Sequence, residues 1–226
     1  GAVKKELISK NPFDLLENGA KPKKSKAKID YWTTEEVKQF FSRLEHRHKI
    51  MFVLAIHCGL RRGEILGLRW KDVDFTNSHL RISQSLRPKQ GLKHGVKTET
   101  GFRSISISPF VLEELRKHRK MILEERLACT EYQDYDLVIC QKNGQPVSLG
   151  NFGKFWRRII ENTEMRYIRF HDLRHTCASL LLSAGIHPKV VQELLGHSSI
   201  SITLDNYSHL MPNINAEAAN TLEKLL

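Results

Sequence analysis

Residues 50–56 read IMFVLAI, the centre of a nearly all-apolar helical stretch over 49–58 that stops at Gly59. A helix with no polar face needs cover on every side, so the rest of the chain must build a core around it. The run is also the longest apolar one, and it falls far short of the roughly 20 residues a membrane-spanning helix needs. Hydrophobic residues make up 40% of the 226, the ordinary share for a globular chain with a real core. No apolar signal-like segment marks the N-terminus. Cys58, Cys129, Cys140 and Cys177 are scattered without a CxxC pair and read as reduced thiols of a cytosolic protein.

The remaining periodicities predict a domain that is mostly α with a small three-stranded antiparallel β-sheet, an α+β arrangement. Thr33 and Glu36 spell a capping box ahead of Val37, Phe40, Phe41 and Leu44 at helical spacing. A further helix starts near Arg62. The alternations LRISQSL (80–86) and RSISIS (103–108) predict two strands, joined by the basic, Gly-punctuated loop RPKQGLKHGVKTETGF. DLVIC (136–140) predicts the third strand, stopped by Asn143-Gly144. Ser108 and Pro109 launch a helix through Leu127. Beyond that the pattern is helical over 148–162, 171–184, 188–195, 200–208 and 214–225. In the last segment Ala218, Ala219, Leu222, Leu225 and Leu226 make an apolar stripe that needs a surface to cover it.

Charge narrows the choice of partner. Thirty-six Lys and Arg against 25 Asp and Glu leave a net +11, a surplus that points to a polyanion, most often nucleic acid. The run KPKKSKAK (21–28) holds five lysines and marks a boundary near residue 30, as a solvated linker or as an arm along a DNA backbone.

The stretch FHDLRHTCAS (170–179) packs His171, Asp172, Arg174 and His175 together. His171 and His175 lie four apart, and His171 and Arg174 three apart, so each pair shares a helix face. The first pair could bind zinc, with His197 as a third ligand; the second could hold an anion. Zinc pairs usually have an acid between them; here Asp172, Leu173 and Arg174 lie between, and the cation Arg174 is an unfavourable neighbour for a dication. In HCGLRRGEILGLRW, Glu64 is followed by Ile65 and Leu68 and faces inward, so it needs a cation such as Arg61 or another arginine. That pair could equally be a simple structural tie. In the basic loop Lys89, Lys93 and Lys97 all qualify as phosphate contacts, and spacing does not choose among them. Gly196 places His197 at a turn, and Tyr207 sits on the short helix after it.

Taken in order, these motifs resemble the catalytic domain of the tyrosine recombinases, the integrases of phages and conjugative transposons. GLRRGE resembles the first-arginine box, KTETGFRSI the β-hairpin lysine box, HDLRH the His-x-x-Arg box and LGHSSISITLDNY the closing box. The similarity covers roughly residues 31–210, with Cys58 standing where threonine is more usual. It implies that Arg61, Lys97, His171, Arg174, His197 and Tyr207 are catalytic, with Tyr207 the nucleophile and Glu64 in support. It implies site-specific cutting and rejoining of double-stranded DNA through a 3′-phosphotyrosyl link, with no metal, ATP or other cofactor. A type IB-like topoisomerase and a non-catalytic DNA-binding module on the same fold are the alternatives. Residues 1–30 would be the tail of a core-binding domain plus its lysine-rich linker, and 31–226 the catalytic domain. The resemblance also implies a homo-multimer on DNA, a tetramer in the synaptic complex, with helix 214–225 docking on a neighbouring protomer.

Overall fold

A computed structural model of the chain describes residues 29–87, 91–94, 102–211 and 223. The first helix, α1 (Thr34–Arg43), starts where its capping box predicts: the Glu36 amide donates to Thr33 Oγ1 at 3.3 Å and the Thr33 amide to Glu36 Oε2 at 2.8 Å. Helix α2 (Lys49–His57) is the apolar segment, and every residue from Ile50 to Ile56 is buried. Its Phe52 meets Phe40, Trp156 and Phe170 at ring separations of 5.5, 5.6 and 6.1 Å, an aromatic centre to which three other segments contribute.

A sharp corner follows. Gly59 has φ +60°, a conformation that favours glycine, and a Cβ there would also press on Leu195 Cδ2 at 2.5 Å. The short α3 (Arg62–Gly67) then leads to five strands: β1 (Val73–Asp74), β2 (His79–Ile82), β3 (Gln84–Arg87), β4 (Gly91–His94) and β5 (Arg103–Ser106). Strands β1, β2 and β5 form the three-stranded antiparallel sheet with β2 in the middle, and β3 pairs with β4 as a separate hairpin.

Two strand expectations need correcting. The segment 80–86 is two strands broken at Ser83, whose hydroxyl donates to Asp72 Oδ2 at 3.0 Å. Beyond the break, Gln84, Ser85 and Leu86 are all buried, because β3 lies against α3 so closely that a Cβ on Gly67 would sit 2.9 Å from Ser85 Cα. Nor is 136–140 a strand: it makes only isolated bridges, Arg69 with Leu137 and Cys140 with Pro146. The third strand of the sheet is the two-residue β1 instead. A short apolar run reads the same whether it is a strand or merely a buried segment, and Leu137 to Cys140 are buried.

The helical half agrees with its periodicity: α4 (Pro109–Ala128), α5 (Phe152–Thr163), α6 (Asp172–Ser183), α7 (Pro188–Leu195) and α8 (Ile200–Tyr207). Helix α5 begins four residues later than its pattern suggests. Helices α4 and α6 both pack on α2, and α7 and α8 close over α6 around Ala178, Leu182, Val191, Leu195 and Tyr207. All four cysteines are free thiols. Lys97, the lysine run 21–28 and the predicted helix 214–225 lie outside the described residues, Glu223 excepted.

Candidate active site

The C-terminal end of α7 is the anchor of the site. Gly196, at φ +65°, ends the helix in a left-handed cap, leaving its last carbonyls without intrahelical partners. Three consecutive carbonyls are each taken by a different arginine. Arg103 Nε donates to Leu194 O at 2.9 Å, Arg174 Nη2 to Leu195 O at 2.6 Å, and Arg61 Nη2 to Gly196 O at 2.9 Å. The negative end of a helix is a favourable place for cations. Segments far apart in sequence thus converge on one helix end.

Each arginine is then fixed a second time. Arg174, buried on α6, also donates through Nη1 to Gly59 O at 2.6 Å, so the corner after α2 and the end of α7 orient its guanidinium together. Burial, then the charge of Arg61, pushes its pKa down to about 9, which leaves it charged at neutral pH. Arg61 donates through Nη1 to Glu64 Oε1 at 2.8 Å while its side chain stays 40% exposed, so this arginine is open to solvent. Glu64 is buried, as its apolar neighbours predict. Burial alone would raise its pKa, but the hydrogen bonds and charge of Arg103, with Arg61, outweigh that and hold it at about 2.

His171 stands at the N-cap of α6, in a turn tied by Arg169, whose amide and guanidinium both bind Asp172. The residue is exposed, yet the atoms packed against its ring and the charge of Arg174 lower its pKa. His197, just past the α7 cap, hydrogen-bonds through Nδ1 to Thr203 Oγ1 at 3.0 Å. Burial, then Arg174 and Arg61, pushes it down to about 4. Both imidazoles are therefore neutral at pH 7.

Tyr207 ends α8 and is buried, and its phenol hydrogen-bonds Nδ1 of His175. His175 is half-buried and hydrogen-bonded, with a pKa pushed down to about 4 by burial and then by His171. It therefore accepts, and the phenol donates. Burial raises the pKa of Tyr207 above its ordinary value, against the pull of Arg174. His171 and His175 do lie close, edge to face at 5.2 Å, but His175 is engaged with Tyr207 and His197 with Thr203. Among the described residues no set of three His, Cys, Asp or Glu side chains is arranged to hold a metal ion.

Five of the six predicted catalytic residues thus fall in one connected cluster with Glu64, and the sixth, Lys97, lies in the undescribed stretch between β4 and β5. Sequence reasoning missed Arg103. Its signal was present: in RSIS, Arg103 and Ile105 share the inward face of a period-2 strand, and a charge pointing inward needs a buried partner.

The sequence pattern of the Phage integrase family matches residues 30–213. A tyrosine recombinase XerC-like protein of Caldanaerobacter subterraneus subsp. tengcongensis is 32% identical over 99% of this chain and 62% of its own length. The ICEBs1 integrase of Bacillus subtilis is 30% identical over 100% of this chain and 62% of its own. The chain therefore spans less than two thirds of these relatives. In fold, it is similar to the Tn1549 transposon integrase solved in complex with a circular intermediate DNA, with a TM-score of 0.74 at 24% identity, covering 100% of this chain and 74% of that one.

Proposed function

Since the chain belongs to the phage integrase family, the tyrosine recombinases, we propose that it is the catalytic part of a site-specific recombinase that cuts and rejoins double-stranded DNA through a covalent 3′-phosphotyrosyl intermediate. The observation that carries this reading is the convergence of Arg61 and Arg174 on adjacent carbonyls, with His171, His197 and Tyr207 around them.

Attack on a phosphodiester concentrates negative charge on the non-bridging oxygens. Two permanently charged, forked guanidiniums held on rigid backbone are suited to that charge, because they are aimed before the reaction starts. Each Nη group of Arg61 and Arg174 carries a second hydrogen beyond the one it gives to the protein. A phosphate seated there brings negative charge beside His171 and His197, raising their pKa values and strengthening them as donors to the same oxygens.

Tyr207 gives its phenolic proton to the neutral imidazole of His171 as its Oη bonds to phosphorus and the bond to the 5′ oxygen breaks, and the phosphotyrosyl link retains the energy needed for rejoining, so no ATP is consumed. The departing oxygen needs a proton, which is the role of Lys97. With its phenol covered and bonded to His175, Tyr207 is at rest, and cleavage requires α8 to shift so that the oxygen reaches the clamp. A homo-multimer on DNA, tetrameric at synapsis, would exchange the four strands.

The test is a nicked suicide duplex carrying the attachment site, incubated with the protein in excess chelator and run on a denaturing gel. A covalent protein–DNA band from the wild-type chain, absent for Tyr207→Phe, is expected. Binding without any band would leave a DNA-binding module, and a band that appears only when metal is restored would revive a metal-dependent reaction.

A further inference from the structure

We propose that Arg103 is a positioning residue for the phosphate clamp: it takes up the charge of Glu64, and so leaves the charge of Arg61 free for DNA. This rests on the reading that Arg61 grips the scissile phosphate.

All three nitrogens of the Arg103 guanidinium are committed inward. Nε donates to Leu194 O at 2.9 Å, Nη1 to Glu64 Oε1 at 3.1 Å and Nη2 to Glu64 Oε2 at 2.9 Å, and the side chain is only 8% exposed. It is not placed as a third phosphate ligand. Glu64 in turn accepts four hydrogen bonds, two from Arg103 and two from Arg61, whose Nη1 and backbone amide lie 2.8 and 2.9 Å away. A carboxylate has about four acceptor sites, so this one is filled.

Remove Arg103 and a carboxylate that is 3% exposed is left with Arg61 as its only bonded cation among the described residues. A buried pair of that kind holds its partner tightly, because neither charge is solvated, and it would compete with the phosphate for Arg61. With Arg103 present, the two arginines and one carboxylate carry a net +1, and Glu64 can orient Arg61 through its backbone and Nη1 without cancelling it. Arg103 also opens β5, six residues after Lys97 in the sequence.

Charge balance differs from mere support in one measurable way: neutralising Glu64 should compensate for the loss of Arg103. The experiment compares single-turnover cleavage at saturating attachment-site duplex for the full chain and for Arg103→Met, Arg103→Lys, Glu64→Gln with Arg103→Met, and Arg61→Ala, with a thermal melt for each. Arg103→Met should slow cleavage by at least about tenfold, the effect of leaving one charge of a buried pair unbalanced. Adding Glu64→Gln should recover several-fold of that loss, because a neutral amide no longer draws on Arg61. Arg103→Lys keeps the charge without the fork and should stay closer to wild type than Arg103→Met. If the methionine variant does not fold, the lysine variant still decides: cleavage lost as completely as in Arg61→Ala, in a folded protein, overturns the proposal. A folded double variant no faster than Arg103→Met also overturns it. Wild-type cleavage by Arg61→Ala would instead remove the clamp reading itself.

Discussion

Arg174 is held by the backbone on both sides, through Gly59 O and Leu195 O, and these two bonds fix where its remaining hydrogens point. Replacing it by alanine removes a pre-aimed donor from the transition state, which typically costs about 2.7–4 kcal/mol, or roughly 10²–10³ in cleavage rate. Single-turnover cleavage by Arg174→Ala, compared with its DNA affinity, checks this: the rate should fall far more than binding. Replacing Lys97 should behave differently, since the part proposed for it is protonation of the leaving oxygen. A substrate with a 5′-bridging sulfur leaves without a proton and should rescue Lys97→Ala but not Arg174→Ala. At this scale the sequence was most informative where residue type and chemistry coincide, as in the arginines, the tyrosine and the inward-facing Glu64. It did not name the partner of Arg103 or the His175–Tyr207 bond, because each is a meeting between segments far apart in the chain. Only the fold decides which partner an inward charge or a buried phenol finds.

Helices α1 to α8 follow their sequence periodicity because each depends on local signals, caps and apolar spacing, whereas strand pairing is a long-range choice. The segment 136–140 illustrates the difference. Its backbone is satisfied by side chains and loops rather than by a ladder: His118 Nε2 donates to Val138 O at 2.7 Å, Arg47 Nη1 to Cys140 O at 2.7 Å, and the Val138 amide to Leu68 O at 2.9 Å. Burial, against the Val138 hydrogen bond, pushes the pKa of His118 down to about 4, below the roughly 6.5 of an unfolded histidine. Between those values the unfolded chain binds the proton and the folded one does not, so stability is full above about pH 6.5 and falls as the pH drops towards 4. His175 and His197, also near 4, and His48, near 3, act in the same direction. His118→Phe should lower stability at pH 7 by about 1–3 kcal/mol, the cost of an orphaned buried carbonyl, and should flatten the decline between pH 6.5 and 4. Denaturant melts across that range would show it, and an unchanged slope would mean His118 is not neutral in the fold.

At the scale of the whole molecule, several exposed cations lie on the helix next to Arg61 and Arg62. Arg62, beside Arg61, lies over the ring of Phe152 at 5.0 Å, and so brings the start of α5 next to the clamp. Lys154, Arg157 and Arg158 on that helix are exposed. On the proposed function they would meet a DNA backbone running past the scissile phosphate, and they account for part of the net +11. A variant with all three replaced by alanine should bind DNA less tightly, and its log–log salt dependence should be shallower by about 0.9 for each phosphate no longer neutralised. Binding titrations at several salt concentrations read that slope directly. None of these surface charges matters unless one side chain performs the displacement, and five tyrosines are present: Tyr31, Tyr132, Tyr135, Tyr167 and Tyr207. The decisive measurement is mass spectrometry of the covalent adduct trapped on a suicide attachment-site duplex, after nuclease and protease digestion. A nucleotide remnant on the peptide carrying Tyr207, and on no other, is expected; a remnant on any of the other four tyrosines would contradict the assignment of the nucleophile and of the site built around it.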